Sequence, residues 1–401
     1  MIIKRPKYIE AITPFIGQPL VKILSGVRRC GKSTIFDMLK EELLSSGIDK
    51  KCIITKTYTD MDIAQNITAK QMYDELVCVT KDNAYSYLIL DEIQEISGWE
   101  KVVNSLLEKG NFDIYVTGSN SKLMSSEIST YLTGRYVQIP VYTLSFEEYL
   151  EFKSESKLTK RELLNEFIRF GGFPVVALNE YESNTAYQIV NGIYYTVVSR
   201  DIVNRHRIHK QELFDRVVRY VVENTGKTFS ANSISKFLKS ENRQLSNESI
   251  YNYLRWLEQA FIIYPCRRYD LQGKNILKTQ EKYYLADVSL KYALFGYNRN
   301  MLDAVMENIV YLELKRRGYD VYVGKLGPKE IDFVGILRDE KIYVQVCVQL
   351  PENSDRETEN LKDIPDNYPK YVVTLNDLDV GNDEGIKIVH LQDFLLQDRW
   401  I

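Results

Sequence analysis

The chain has 401 residues, 44% hydrophobic and 27% charged, enough for about two to four domains with separate cores. Its formal net charge of −3 argues against a constitutively sticky nucleic-acid binder, while clustered basic patches stay open. No apolar run reaches the length of a membrane span and the opening MIIKRPKYIE lacks a signal peptide's apolar stretch, so a cytoplasmic protein with no membrane partner is expected.

In chain order, the first third alternates short β-rich runs with helical stretches. Strands are expected at Val21–Leu24, Cys52–Tyr58, Tyr87–Leu90 and Asp113–Thr117, and helices at Lys32–Leu44, Ala69–Thr80 and Glu100–Glu108. Such alternation implies a parallel sheet covered by helices, and a continuous apolar run such as YLIL suits a strand buried on both sides. A polar stretch, Lys153 to Lys160, reads as a boundary. From Arg161 to about Val222 the pattern is helical, interrupted by Gly171-Gly172-Phe173-Pro174. Residues Phe229 to Asp287 read as a winged helix, with helices Ala231–Lys239 and Asn247–Ala260 followed by β-rich runs Ile262–Arg268 and Ile276–Leu285. The remainder reads as a helix, Leu302–Arg317, then strands at Val321–Gly324, Glu330–Leu337, Lys341–Val348 and Tyr371–Leu375, and a short terminal helix.

The strongest motif is Gly26-Val27-Arg28-Arg29-Cys30-Gly31-Lys32-Ser33, which matches G-x-x-x-x-G-K-[ST] between a strand and a helix. Glycines let the backbone wrap phosphates, and the helix start aims its positive dipole end at the same anions. Gly26, Arg29, Cys30, Gly31, Lys32, Ser33 and Thr34 form the expected ATP-binding set. Lys32 should reach the β- and γ-phosphates, and the Ser33 hydroxyl should ligate Mg2+. The run Leu88-Ile89-Leu90-Asp91-Glu92 ends a buried strand in two carboxylates: Asp91 for Mg2+ through water, Glu92 as the base for the attacking water. After the strand Tyr115-Val116-Thr117, Asn120 is favoured as the polar contact to γ-phosphate or water, with Ser119 as the alternative. Arg135 reads either as a finger reaching a neighbouring subunit's nucleotide or as a structural ion-pair residue.

The runs GVRRCGKST, LDEIQEISGWE, TGSNSKLMSSEISTYLTGR and TLSFEEYLEF resemble AAA+-superfamily ATPases of the AAA_14 type. GGFP, SRDI, KYYLADVSL, ENIVYLELKRRGYDVYVGK, EIDF and YVQV extend the resemblance to the DUF4143 region that such proteins usually carry. The resemblance implies an α/β P-loop core at 1–150, a helical region at 151–225, a winged helix at 226–290 and a restriction-endonuclease-like α/β domain at 291–401. A PD-(D/E)xK site needs a helix acid, a strand Asp and an (E/D)-x-K. Glu307 or Glu313 could be the first and Asp332 the second, but the third reads Gln345-Val346-Cys347, and Lys341 lies six residues upstream of Cys347. Cleavage is therefore expected to be lost.

Arg243, Gln244, Asn247, Ser249, Asn252 and Arg255 around the second helix of the winged-helix segment suit DNA contacts. His206 and His209 read as a solvated helix face, and the scattered Cys30, Cys52, Cys78, Cys266 and Cys347 as reduced thiols without a disulfide framework or zinc site. The functional expectation is an ATP-driven, homo-oligomeric DNA-associated motor or remodeller with a non-cleaving tail. The alternatives are an ATP-gated switch on a protein partner and, third, an ATP-regulated nuclease.

Overall fold

The structure, a computed structural model, describes residues 3–58, 67–118, 131–132, 134–273, 275–351 and 356–400. It divides into two compact units, Met1–Tyr142 with Gln259–Phe261, and Thr143–Glu258 with Ile262–Ile401.

The first unit is built on a five-stranded sheet, β1 (Val21–Ser25), β2 (Ile53–Thr57), β3 (Ser86–Asp91), β4 (Phe112–Gly118) and β5 (Tyr136–Pro140), in the order β2-β3-β4-β1-β5. All four pairings are parallel. Parallel strands need crossover connections, and the helices Lys32–Ser45, Ala69–Val79 and Trp99–Glu108 supply them. The central strands β1 and β4 are buried throughout, which explains their unbroken apolar character. Val21, Ile23, Leu88, Leu90, Ile114 and Val116 pack with Met72, Leu76, Trp99, Val103 and Leu106 of two covering helices. Gly98, with a φ of 80°, caps the helix that begins at Trp99, and a Thr68–Gln71 capping box starts the one at Ala69. The edge strand β5 and the short helix Pro6–Ile12 had no clear sequence signature; β5 is short and only partly buried.

The order of strands decides where the chemistry sits. β4 lies between β1 and β3, with Thr117 of β4 beside Leu24 of β1 and Val116 beside Leu90 of β3. The loop after β1, the end of β3 and the end of β4 therefore open on one edge of the sheet, where ligands bind in open α/β folds.

In the second unit, the helix Phe146–Phe152 packs on Lys160–Phe170, with Phe146 and Tyr149 against Phe167 at ring-centroid distances of 5.6 and 5.3 Å. Those contacts carry the unit across the polar stretch at 153–160. The helix Ser183–Thr196 runs directly into a π-helical segment, Val197–Asn204. The helices Ala231–Ser240 and Asn247–Gln259 form where expected. His206 stacks on Trp256 at 4.2 Å, so that ring packs on a partner instead of facing water alone.

The hairpin read as a wing, β6 (Ile263–Asp270) and β7 (Asn275–Leu285), is also the end of a larger sheet. It is continued by β8 (Asp320–Leu326), β9 (Lys329–Leu337), β10 (Glu340–Val346), β11 (Lys370–Thr374), β12 (Gly381–Asp383) and β13 (Ile386–His390). The eight strands run β12-β13-β11-β10-β9-β8-β6-β7. The junction is a short parallel pairing of Arg268–Asp270 with Val323–Lys325. Residues on either side of position 290 thus share one sheet.

Candidate functional site

The P-loop begins with a glycine for a steric reason. A Cβ on Gly26 would sit 2.0 Å from the Val141 carbonyl oxygen, so the loop can leave β1 along this path only without a side chain. Further along, Arg29 and Gly31 have φ values of 65° and 103°. Left-handed residues alternating with ordinary ones turn successive N–H groups toward one concavity, an anion nest. The helix Lys32–Ser45 starts there, adding its unsatisfied N–H groups.

The side chains then divide by role. Cys30 is buried, so it offers the concavity its backbone only, while Arg29, Ser33 and Thr34 are exposed at the rim. Lys32 is 4% exposed and its Nζ donates to the carbonyls of Gly26 (2.9 Å) and Val27 (3.1 Å). The ammonium thus rests on the loop it would serve. Ser33 Oγ donates to Asp91 Oδ2 at 2.7 Å, which joins the P-loop helix to the end of β3.

Thr117 completes this group. Its hydroxyl donates to Asp91 Oδ1 and accepts from the Glu92 N–H at 3.0 Å, using donor and acceptor capacity together. One threonine at the end of β4 thereby fixes both carboxylate residues. In the sequence Thr117 gives no sign of this role, because a β-branched residue in a buried strand is ordinary; the expected Asn120 and its alternative Ser119 lie outside the described residues. Glu92 has a φ of 53°, uncommon for a residue with a side chain. Its carboxylate accepts from Gln94 Nε2 and lies 3.9 Å from Arg28 Nη1, while Arg28 Nη2 is 3.7 Å from Glu95.

Arg5 supports the loop from behind. It is buried and donates to the carbonyls of Cys30 (2.8 Å) and Tyr142 (3.1 Å). Nothing in the local run KRPKY indicated this, because the partners are remote in sequence.

Arg135 falls at the other end of the sheet. It precedes β5, whose Tyr136 pairs with Val21, whereas Ser25 and Pro140 mark the P-loop end. Its guanidinium meets Asn104 Oδ1 at 2.6 Å and Glu108 at 3.4 Å. Within its own chain Arg135 is an ion-pair residue and is not brought to the P-loop.

The second unit holds another charged cluster. Lys282 of β7, 5% exposed, places Nζ 3.1 Å from Glu330, 3.4 Å from Glu307 and 3.7 Å from Asp332. Burial works against the ammonium, but Asp332, Glu307 and Glu330 outweigh it and hold it above the ordinary lysine range. Burial and the neighbouring Asp332 push the Glu307 carboxyl up to about 7, against the pull of Lys282. Of the two candidate helix acids, Glu307 therefore joins Asp332, while Glu313 pairs with Arg316 and Arg317. Burial, with nearby carboxylates, pushes the Cys347 thiol up to about 12, so it stays neutral. The lysine that stands among these acids, Lys282, comes from a different strand, β7. Lys341 instead lies over the rings of Tyr269, Tyr343 and Tyr368.

No helix among the described residues is long and apolar enough to cross a membrane. Residues 18–150 match the family model AAA_14, an AAA domain. The resemblance to DUF4143 is not shown; residues 161–300 match a different model, a domain of unknown function (DUF8612). The Walker-type ATPase PABY2304 of Pyrococcus abyssi superimposes with a TM-score of 0.51, covering 73% of this chain and 96% of that one; at 14% identity the likeness concerns the fold alone. An uncharacterized Haemophilus influenzae protein is 37% identical over 401 residues, covering 99% of each chain. The uncharacterized protein MJ1544 of Methanocaldococcus jannaschii is 33% identical over 398 residues, covering 93% of this chain and 85% of that one. With its P-loop AAA core and this end-to-end similarity, the chain belongs to the family of AAA-domain proteins represented by the H. influenzae protein and MJ1544.

Proposed function

We propose that the chain binds and hydrolyses ATP at the P-loop and couples that cycle to DNA bound by its second unit. The observation that supports the ATPase reading is the Ser33–Asp91–Thr117 network, in which a hydroxyl and a carboxylate suited to Mg2+ are hydrogen-bonded together beside the P-loop. Hard oxygen donors of this kind suit Mg2+, which would be held by the Ser33 hydroxyl and the Asp91 carboxylate and would offset phosphate charge. Among the described residues no three His, Cys, Asp or Glu side chains gather as a metal site, so most ligands would come from nucleotide and water. Lys32 leaves the Gly26 and Val27 carbonyls for the phosphates. Glu92 orients the attacking water and accepts its proton, while Thr117 keeps it beside Asp91. The assembly is a homo-oligomer, and any finger role of Arg135 requires a second copy.

Thr117→Ala tests the network. It removes the hydroxyl shared by Asp91 and the Glu92 N–H, and should lower turnover by roughly tenfold to a hundredfold with little change in nucleotide affinity. A mutant with wild-type turnover would show that Asp91 and Glu92 hold their positions without it.

The DNA role rests on the exposed Arg243, Gln244, Asn247 and Arg255 around the helix Asn247–Gln259. Arg243 is also tied to Glu212 at 2.8 Å, and Arg216 to Glu241, so part of this face is already neutralised. That pairing favours, as a second reading, an ATP-gated switch that docks a protein partner. Phosphate release measured with single-stranded, duplex and branched DNA separates the two: strong stimulation supports DNA coupling, and indifference to every form supports the switch. Arg243→Glu with Arg255→Glu should weaken DNA binding on the order of tenfold or more and flatten its salt dependence. Unchanged affinity in fluorescence anisotropy at two salt concentrations would remove this helix from the interface.

A further inference from the structure

A nuclease-like tail implies a divalent cation between its helix acid and strand Asp. The side chains present do not fit one. Lys282 Nζ already stands among Glu330, Glu307 and Asp332, at 3.1, 3.4 and 3.7 Å. The other acceptors are turned to other donors. Asp332 Oδ2 takes the Val346 N–H at 2.9 Å, and Gln345 Oε1 takes the Asp332 N–H at 3.1 Å. Glu307 Oε2 also accepts from the Tyr284 hydroxyl at 2.9 Å, and Glu330 Oε2 faces Arg268 at 3.4 Å. A magnesium ion needs several oxygens at about 2.1 Å, and an ammonium in the same space excludes it by volume and by charge.

We infer that Lys282 is the resident cation of this cluster, and that the tail is a metal-free relic whose carboxylates are closed by an internal ammonium. The lysine absent from the Gln345-Val346-Cys347 strand has a counterpart in the fold, but as a counter-ion to the acids. Two largely buried carboxylates, Glu307 and Asp332, with Glu330 at their rim, need a compensating charge whether or not catalysis survives, because unpaired buried charge is costly. Lys282 meets that need without a metal, while Glu330 shares its charge with Arg268 at the rim. The tail then offers its outer surface for binding and its interior for stability.

This deepens the reading of the tail as nuclease-like, and the test separates the two. Mn2+ binding is measured on the nucleotide-free full chain by the loss of free-ion signal in electron paramagnetic resonance. The wild type should bind no more Mn2+ than Asp332→Asn, because no site depends on Asp332. Lys282→Ala should gain one saturable Mn2+ site per chain, lost again when Asp332→Asn is added. Lys282→Asn, which removes the charge and shortens the side chain while keeping a hydrogen-bonding group, serves where the alanine variant does not fold, and Mn2+ should then raise its melting temperature. Asp332-dependent Mn2+ binding by the wild type would overturn the inference and make the tail a working metal site. A folded Lys282 variant that gains no site would overturn it too, and would count against nuclease ancestry. DNA affinity, followed separately, reports on the binding role without entering this comparison.

Discussion

Lys32→Ala is expected to weaken ATP binding severely or to abolish hydrolysis while leaving the protein folded. The lysine sits at the start of a helix with its ammonium on the Gly26 and Val27 carbonyls, so its removal takes away a charge aimed at the phosphate nest. Truncating one partner of a desolvated charge pair costs about 2–5 kcal/mol, on the order of thirtyfold to several thousandfold in Kd. The fold should tolerate the change because the neighbouring core is held by Ile35, Phe36 and Leu39 of the same helix, together with the Arg5 clamp on Cys30. Fluorescent-nucleotide titration and a thermal melt on the same preparation check both halves. A normal melt with normal affinity would mean that phosphates bind elsewhere.

The second large effect belongs to Glu92→Gln, which should bind ATP normally and hydrolyse it slowly. Losing a positioned general base costs typically 10²–10⁴-fold in rate. The amide keeps the shape of the side chain and leaves Asp91 and Thr117 untouched. At a φ of 53° glutamine fares as glutamate does, and its amide oxygen can still accept from Gln94, while the ion pair with Arg28 is lost. Purified mutant given ATP should retain the intact triphosphate, seen by chromatography of denatured complexes. Hydrolysis at the wild-type rate would move the base to another carboxylate.

What could be read in the sequence follows the distance between partners. The P-loop was legible because strand, loop and helix are consecutive and each leaves a local mark. Asp91 and Glu92 were legible because they end the apolar run of β3. Thr117 was not, since its importance comes from β4 being inserted between β1 and β3, a fact of sheet order. Arg5 was invisible for the same reason: it meets Cys30 and Tyr142 only in the folded chain. Arg135 was read as two alternatives, and its cis contacts with Asn104 and Glu108 supply the plainer one.

The second unit shows a stronger form of this limit. Reading along β10 for the missing lysine could not find Lys282, which lies on a strand paired with β6 and converges on Asp332 only because the sheet and the helix Leu302–Arg316 fold together. The parallel junction between β6 and β8 was equally hidden, as a three-residue pairing between segments that looked like different domains. Its consequence is practical. Cutting the chain after Asn300 would strip β8 to β13 from the eight-stranded sheet and bare the edge of β6 as well, leaving an isolated β6–β7 hairpin. Point substitutions at Arg243, Arg255 and Lys282 test the second unit without that damage.

Phosphate release by the purified full chain in ATP and Mg2+ tests the ATPase claim most directly, with excess chelator as the blank and Lys32→Ala prepared in parallel. Steady release by the wild type, stopped by chelator and missing from the mutant, is the expected result. No release by a folded wild type across the DNA panel, or equal release from the mutant, would contradict it.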